Sequence, residues 1–379
     1  MLGASLRERR LLNAAKKGDL GRARRLLAGG GFDLELKARH GETALSLAAG
    51  GGHWQVALEL ARAGASPRVC DRSGRTPLHD AAWGGRAELA RELLERGADP
   101  NARAGDGATP LHEAARAGRA ELVRELLARG ADLEARDEGG NTPLILAGEG
   151  GHVGAIRALA GAGADLGARD VDGDTALMFP ACWGLLGAVE ALLELGAEPD
   201  ARDNAGWAAL HWAASNGHEK VVRALLARGA APGLANDAGE TPLHLAAARG
   251  SARCVALLLE AGAPLASVDG QGRSAIARAL PYAGKPLVDE LRARAGAYAR
   301  AQGRGWRVRV RRVRREGEEP RVSAFAREPR GGGVSWERCD GYDEVVALLR
   351  EGGAKGASRP PPPRTASPPS VGRTKVSKA

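Results

Sequence analysis

Residues Thr109–Gly140 read TPLHEAARAGRAELVRELLARGADLEARDEGG. Thr109 offers a hydroxyl to an orphan helix amide, and Pro110 has no amide to leave orphaned, so the pair marks a helix start. Leu111, Ala114 and Ala115 give that helix one small apolar side, and Gly118 ends it. Leu122, Val123, Leu126 and Leu127 recur at helical spacing against Glu121, Arg124 and Glu125, which predicts a second helix. Gly130 stands where a helix C-cap favours positive φ, and Asp132 to Asn141 is a polar, Gly-containing turn. Two helices this short cannot bury their apolar sides alone, whereas stacked copies cover one another.

Copies fill most of the chain. The opening residues Thr43, Thr76, Thr109, Thr142, Thr175, Ala208, Thr241 and Ser274 follow at a fixed step of 33, and the closing glycines Gly64, Gly97, Gly130, Gly163, Gly196, Gly229 and Gly262 keep it. This period and the T-P-L-H-x-A-A wording resemble the ankyrin repeat. The resemblance covers roughly residues 1–296. It implies a mainly α solenoid of helix–turn–helix units with β-hairpin-like turns. Residues 1–38 read as a degenerate N-terminal cap unit and 274–296 as a C-terminal cap, making about nine units numbered here from the N-terminus. Arg7, Arg9, Arg10, Lys16 and Lys17 solvate the open end of the first.

Composition agrees. Aromatics are 3% of the 379 residues and glycines number 54, as suits a thin Ala/Leu core with Gly at the turns. The net charge of +9 is uneven: residues 297–379 hold 19 basic and 9 acidic side chains, leaving 36 and 37 for the repeats. A near-neutral solenoid thus carries a basic C-terminal region, and the basic pI says nothing about the partners of the solenoid itself. Cys70, Cys182, Cys254 and Cys339 form no CxxC pair and read as reduced thiols. The N-terminus is charged where a signal peptide needs an apolar core, and no apolar run nears the ~18 residues of a membrane span. The expectation is a monomeric cytoplasmic or nuclear protein, not secreted.

Beyond residue 296 the period stops. In 297–354, Trp306, Val308 and Val310 alternate with Arg307, Arg309 and Arg311, which predicts a strand, and a turn at REGEEP leads to a second near Arg321–Ala326. Gly331–Gly333 reads as a hinge and Tyr342–Arg350 as a short amphipathic helix. Residues 355–379 are Pro-rich and basic without an acid, the composition of a disordered tail.

No catalytic constellation emerges: GKS/T, GxSxG and HExxH are absent, and Gly161-Ala-Gly163 ends a helix instead of following a strand. Glu92/Glu95 read as solvated helix positions. No metal site and no cofactor is implied. His79, His112, His211 and His244 occupy the fourth place of TPLH, where the resemblance implies a structural hydrogen-bonder between neighbouring turns.

The resemblance also implies a concave binding face, made by the hairpin tips and the exposed side of each first helix. Its variable places hold Asp80 and Trp83 in unit three, Glu113 and Arg116 in unit four, Leu146 and Glu149 in unit five, Phe179, Cys182 and Trp183 in unit six, and Trp207, Trp212 and Asn216 in unit seven. Five of the chain's 13 aromatic residues fall there, four of them in units six and seven, which reads as a hot-spot patch for a protein partner. The alternative is that these rings repair packing in degenerate units, with Pro180 shifting Trp183 inward. Leu93, Asp99 and Asn101 have a spacing resembling ankyrin sites of asparaginyl hydroxylation, against which Asn101 is simply a turn residue. Ser367 follows basic residues suited to a basophilic kinase.

Two functions follow: a non-catalytic interaction scaffold or adaptor, or a nucleic-acid or anionic-surface binder. The second rests on Arg304, Arg307, Arg309, Arg311, Arg312, Arg314 and Arg315, seven arginines without an intervening acid. Glu316, Glu318 and Glu319 follow at once, and pairing with those arginines across the hairpin would neutralise the segment.

Overall fold

The computed structural model describes residues 6–38, 41–279, 307–313, 321–327, 333–339 and Leu349. Each described unit pairs an inner helix, just after the opening residue, with an outer helix beyond a Gly turn. Unit four holds Pro110–Arg116 and Ala120–Ala128, unit six Met178–Trp183 and Leu186–Glu194, and unit seven Ala209–Asn216 and Glu219–Ala227. From units two to eight these helices run six to nine residues, below the ~12–15 at which an isolated helix becomes marginal in water. Tertiary packing therefore holds them: inner helices stack on inner and outer on outer. Leu111, Ala114, Ala115, Val123 and Leu126 are fully buried in one continuous Ala/Leu core. Gly130 closes its outer helix at φ +83, while the Ala131 N–H returns to the Leu126 carbonyl at 3.0 Å.

The first unit also follows the pattern: Leu6–Lys17 buries Leu11, Ala14 and Ala15 and pairs with Leu20–Ala28. Of the ninth unit, the helix Ala275–Ala279 is described; the boundary at 296 lies outside the described residues.

Polar side chains set the register between units. In the TPLH units the Thr hydroxyl does not cap the third amide of its helix. It meets the histidine, whose Nδ1 receives the Thr76 N–H at 3.1 Å and the Thr109 N–H at 3.1 Å in their respective units. An accepting Nδ1 leaves the proton on Nε2, which donates to the next unit: His79 to the Ala108 carbonyl at 3.1 Å, His112 to the Asn141 carbonyl at 2.9 Å and His244 to the Arg273 carbonyl at 3.1 Å. Without histidine, Thr43 and Thr142 do cap by hydroxyl, from Ser46 and Ile145 N–H. The histidines of the second turn tie backwards: His53, His152 and His218 reach the carbonyls of Lys16, Arg116 and Cys182 at 2.9–3.2 Å. Each such bond is worth about 1 kcal/mol net, less than the ~1.5–3 of one buried leucine. The leucines hold the stack and the histidines fix its register.

The C-terminal region corrects the sequence reading. It is a three-stranded antiparallel sheet, β1 (Arg307–Val313), β2 (Arg321–Arg327) and β3 (Gly333–Cys339), in that order. Gly333, expected in a hinge, begins the third strand. The register sets Arg307, Arg309, Arg311 and Arg312 opposite Arg327, Phe325, Ser323 and Val322. Because β2 contains no acid, the expected pairing of these arginines with Glu316–Glu319 does not follow from the strand register. Of the expected helix 342–350 only helical Leu349 is described, buried among core residues; the tail 355–379 with Ser367 lies outside the described residues.

Candidate functional site

The hairpin tips are built on a repeated aspartate. Asp137, Asp170 and Asp203 each accept the N–H four residues on, at 2.8–2.9 Å, and so aim the side chain at the opening of the next helix. Successive tips also bond to each other, as from the Asn204 N–H to the Asp172 carbonyl at 2.9 Å. Tips and inner helices thereby make one continuous face, which divides into two chemistries.

Units three and four are charged and internally paired. Arg75 bridges Asp80 at 3.3 Å and Glu113, which is 3% exposed. Burial pushes Asp80 up to about 6 even with Arg75 opposing it. Arg116 reaches Asp137 at 3.6 Å. An open hollow lined by Arg116, Asn141, Leu146, Glu149 and Gly150 leads on to unit five.

Units six and seven are aromatic. Trp207, on the tip, and Trp212, on the inner helix, lie with ring centroids 4.5 Å apart at 39°. Both are half-buried, not freely exposed as a solvated tip residue would be. The Trp212 Nε1–H is sealed from solvent without an acceptor. Asn216 donates to the Trp212 carbonyl at 3.1 Å and to Cys182 Sγ at 3.6 Å, joining the two units. Phe179 is half-buried against the core. Trp183 is 63% exposed, so Pro180 does not turn it inward. The reason is local: Met178 begins the helix, so Pro180 is its third residue, in the first turn, where a missing N–H breaks no bond. Trp83 is 49% exposed but stands three units away and does not join the patch.

Asp174, passed over in the sequence, sits on the tip between these groups. Its Oδ1 is removed from solvent without a hydrogen-bond donor. Burial raises its pKa to about 6, helped by Asp170, Asp203 and Asp172, and its charge in turn helps raise the Cys182 thiol. The signal was in the columns of period 33. The place held by Arg116 becomes Glu149, then Cys182, so the cation that serves Asp137 has no counterpart in the next two units. The histidine that ties the following tip is Ile145 in unit five and Met178 in unit six. The tips at Asp174 and Trp207 are thus among those that the preceding unit does not hold by histidine, as is the Arg75 tip after Ser46.

Other singled-out residues have structural partners. Asn101 donates to the Gly130 carbonyl at 3.0 Å and accepts the Asp132 N–H at 2.7 Å, tying one outer turn to the next. Glu134 and Asp200, one and three periods on, accept Asp165 and Ala231 N–H in the same way. Arg307, Arg309, Arg311 and Arg312 are on β1, while Arg304, Arg314 and Arg315 lie outside the described residues. On the outer side, Arg86 stacks on Trp54 at 5.1 Å. Among the described residues no group of three metal-ligating side chains converges, and no helix is long and apolar enough to cross a membrane.

Family models match the same stretch. A model for ankyrin repeats in three copies covers residues 11–104, 163–235 and 210–298, one for many copies covers 93–147, and the single ankyrin repeat covers 139–171. The chain belongs to the ankyrin-repeat family. It is similar to the human ASB11 ankyrin repeat domain in its crystal structure, at 27% identity and a TM-score of 0.52, covering 57% of this chain and 96% of that one. No curated protein matches. Solved chains that match number 535, so the fold by itself points to no one partner.

Proposed function

We propose that the protein is a non-catalytic interaction scaffold or adaptor that anchors a partner protein on the tip-and-inner-helix face of units six and seven. The carrying observation is the Trp207–Trp212 pair beside Trp183, which is 63% exposed in a chain with 3% aromatics. An exposed indole costs solubility and adds little to folding, whereas in a desolvated interface such rings dominate the binding energy. Asn216 and Phe179 frame the patch, and Trp83 is a separate contact at most. Full-length protein and its Trp183→Ala variant, immobilised side by side, test this with binding proteins identified by quantitative mass spectrometry. A partner depleted by about tenfold or more on the variant supports the reading. Equal recovery of every partner sinks it.

A second reading concerns the sheet. Arg307, Arg309 and Arg311 alternate along β1, and their neighbour β2 adds arginines at both ends and no acid. That pattern favours an anionic surface or nucleic acid, with binding to a duplex falling by a log–log salt slope of about −0.9 per phosphate contacted. Charge reversal of the three arginines removes that slope if the reading holds.

A further inference from the structure

The face of units five to seven differs from its neighbour in a respect beyond its rings: the columns that hold Arg75 and Arg116 carry acids there. In units three and four Asp80 and Glu113 pair with Arg75, and Asp137 pairs with Arg116. In units five and six those columns bring Glu149 and Asp174, and neither makes an ion pair among the described residues, although Arg116 lines the same hollow as Glu149. Asp174 Oδ1 is out of solvent with no donor, and Trp212 Nε1–H is out of solvent with no acceptor. Asp174 and Trp212 belong to one patch. Asp174 feels Asp203, which holds the Trp207 N–H at 2.8 Å, and the Trp207 ring packs tilted against Trp212. On the other side its charge reaches Cys182, which Asn216 links to Trp212.

A buried acceptor and a buried donor left open beside the packed indoles are costly in a free protein, because each gave up water for nothing. The complementary ligand carries a cation to the carboxylate, a flat or alkyl surface to the rings and a carbonyl to the indole N–H. An arginine or lysine in an extended peptide offers all three, since cations favour tryptophan faces and the peptide backbone supplies the carbonyl. We infer that this face takes a basic side chain of an extended segment of the partner protein, seated at Asp174 against the Trp207–Trp212 pair, with Glu149 adding negative charge on the unit-five side. The inference rests on the docking face proposed above and adds the chemistry of what docks there.

Acidification adds a signature. The groups facing Asp174 are Asp170, Asp172 and Asp203 on the tips and the Cys182 thiol on the inner helix, with no cation among them. Binding therefore falls as pH drops through about 6, where Asp174 takes up its proton.

The test pans phage-displayed random dodecapeptides on the immobilised full chain, in parallel on wild type, Asp174→Asn and Trp183→Ala. Selected peptides are then synthesised and titrated by tryptophan fluorescence. We expect wild-type peptides to be enriched in arginine or lysine, and their affinity to drop about tenfold or more on Asp174→Asn and below pH 6, the usual weight of a charge-assisted bond. Selected peptides that are neutral or acidic, or a basic preference that survives on Asp174→Asn, overturn the inference. If peptides still depend on Trp183 in that case, the docking face stands and only its chemistry was misread. If no selected peptide depends on Trp183, the docking face itself fails. Displacement of every selected peptide by a synthetic 355–379 peptide at low micromolar concentration also overturns it, making the chain's own basic tail the occupant.

Discussion

Trp207 and Trp212 lie 4.5 Å apart, the first on a hairpin tip and the second on the inner helix that the tip opens. Their contact makes them part of unit seven's own packing, unlike Trp183 one unit earlier. Trp183→Ala should leave the urea midpoint nearly unchanged, while Trp212→Ala should cost about 1–3 kcal/mol through lost ring burial and stacking. Equilibrium urea unfolding of the two variants checks this. Equal destabilisation would show that Trp183 packs as well.

Asp174 gives a prediction of opposite sign. Its folded pKa of about 6 lies above the ordinary 3.8, so its contribution favours folding below pH 3.8 and is lost as pH rises through 6. At pH 7 the charged carboxylate is a liability. Asp174→Asn should therefore raise the melting temperature at pH 7, and the gain should vanish near pH 4. A variant less stable than wild type at pH 7 would mean that the carboxylate has a partner in the free protein.

The histidine ladder works the other way. Burial holds His79, His112, His211 and His244 below their ordinary 6.5, His211 at about 4. Their stabilisation is complete above pH 6.5 and is lost as pH falls toward 4, on the order of 3 kcal/mol for a shift like that of His211. Urea midpoints measured from pH 7 to pH 4 should decline across that window. His211→Gln should start lower and decline less steeply. Parallel slopes would remove His211 as a source of the acid sensitivity.

Gly148 stands where units three and four have Ala82 and Ala115, and its φ is ordinary. A Cβ there would lie 2.3 Å from the Ala176 carbonyl oxygen of the next unit. Since the obstacle is backbone, Gly148→Ala should destabilise the solenoid by about 1–3 kcal/mol, despite the better helix propensity of alanine. Thermal melts decide it. A neutral or stabilised variant would show that units five and six separate freely.

The repeats were legible because each unit states its own punctuation at a fixed period of 33: Thr109-Pro110 to start, Gly118 to turn and Gly130 to close. What escaped were features that depend on absence or on a neighbour. Asp174 looks like any tip residue until one sees that Cys182 and Glu149 replace Arg116 and that Ile145 replaces the tying histidine. The exposure of Trp183 turned on where the helix begins, since Pro180 is benign in a first turn and disruptive later. The strand at Gly333–Cys339 was hidden by the glycines at its start, which read equally as a hinge. His53, His152 and His218 bond backwards across about 36 residues, a relation visible only once the units are stacked.

Photo-crosslinking from defined positions tests the central claim most directly. Benzoylphenylalanine placed at Trp183, on the proposed docking face, is compared with the same residue at Trp54, on the outer helices beside Arg86. Full-length protein is irradiated with the partner recovered by affinity capture. We expect a partner adduct from position 183 that disappears in the Asp174→Asn background, and none from position 54. An adduct from position 54 with none from 183 would contradict the assignment and put the binding surface on the outer helices.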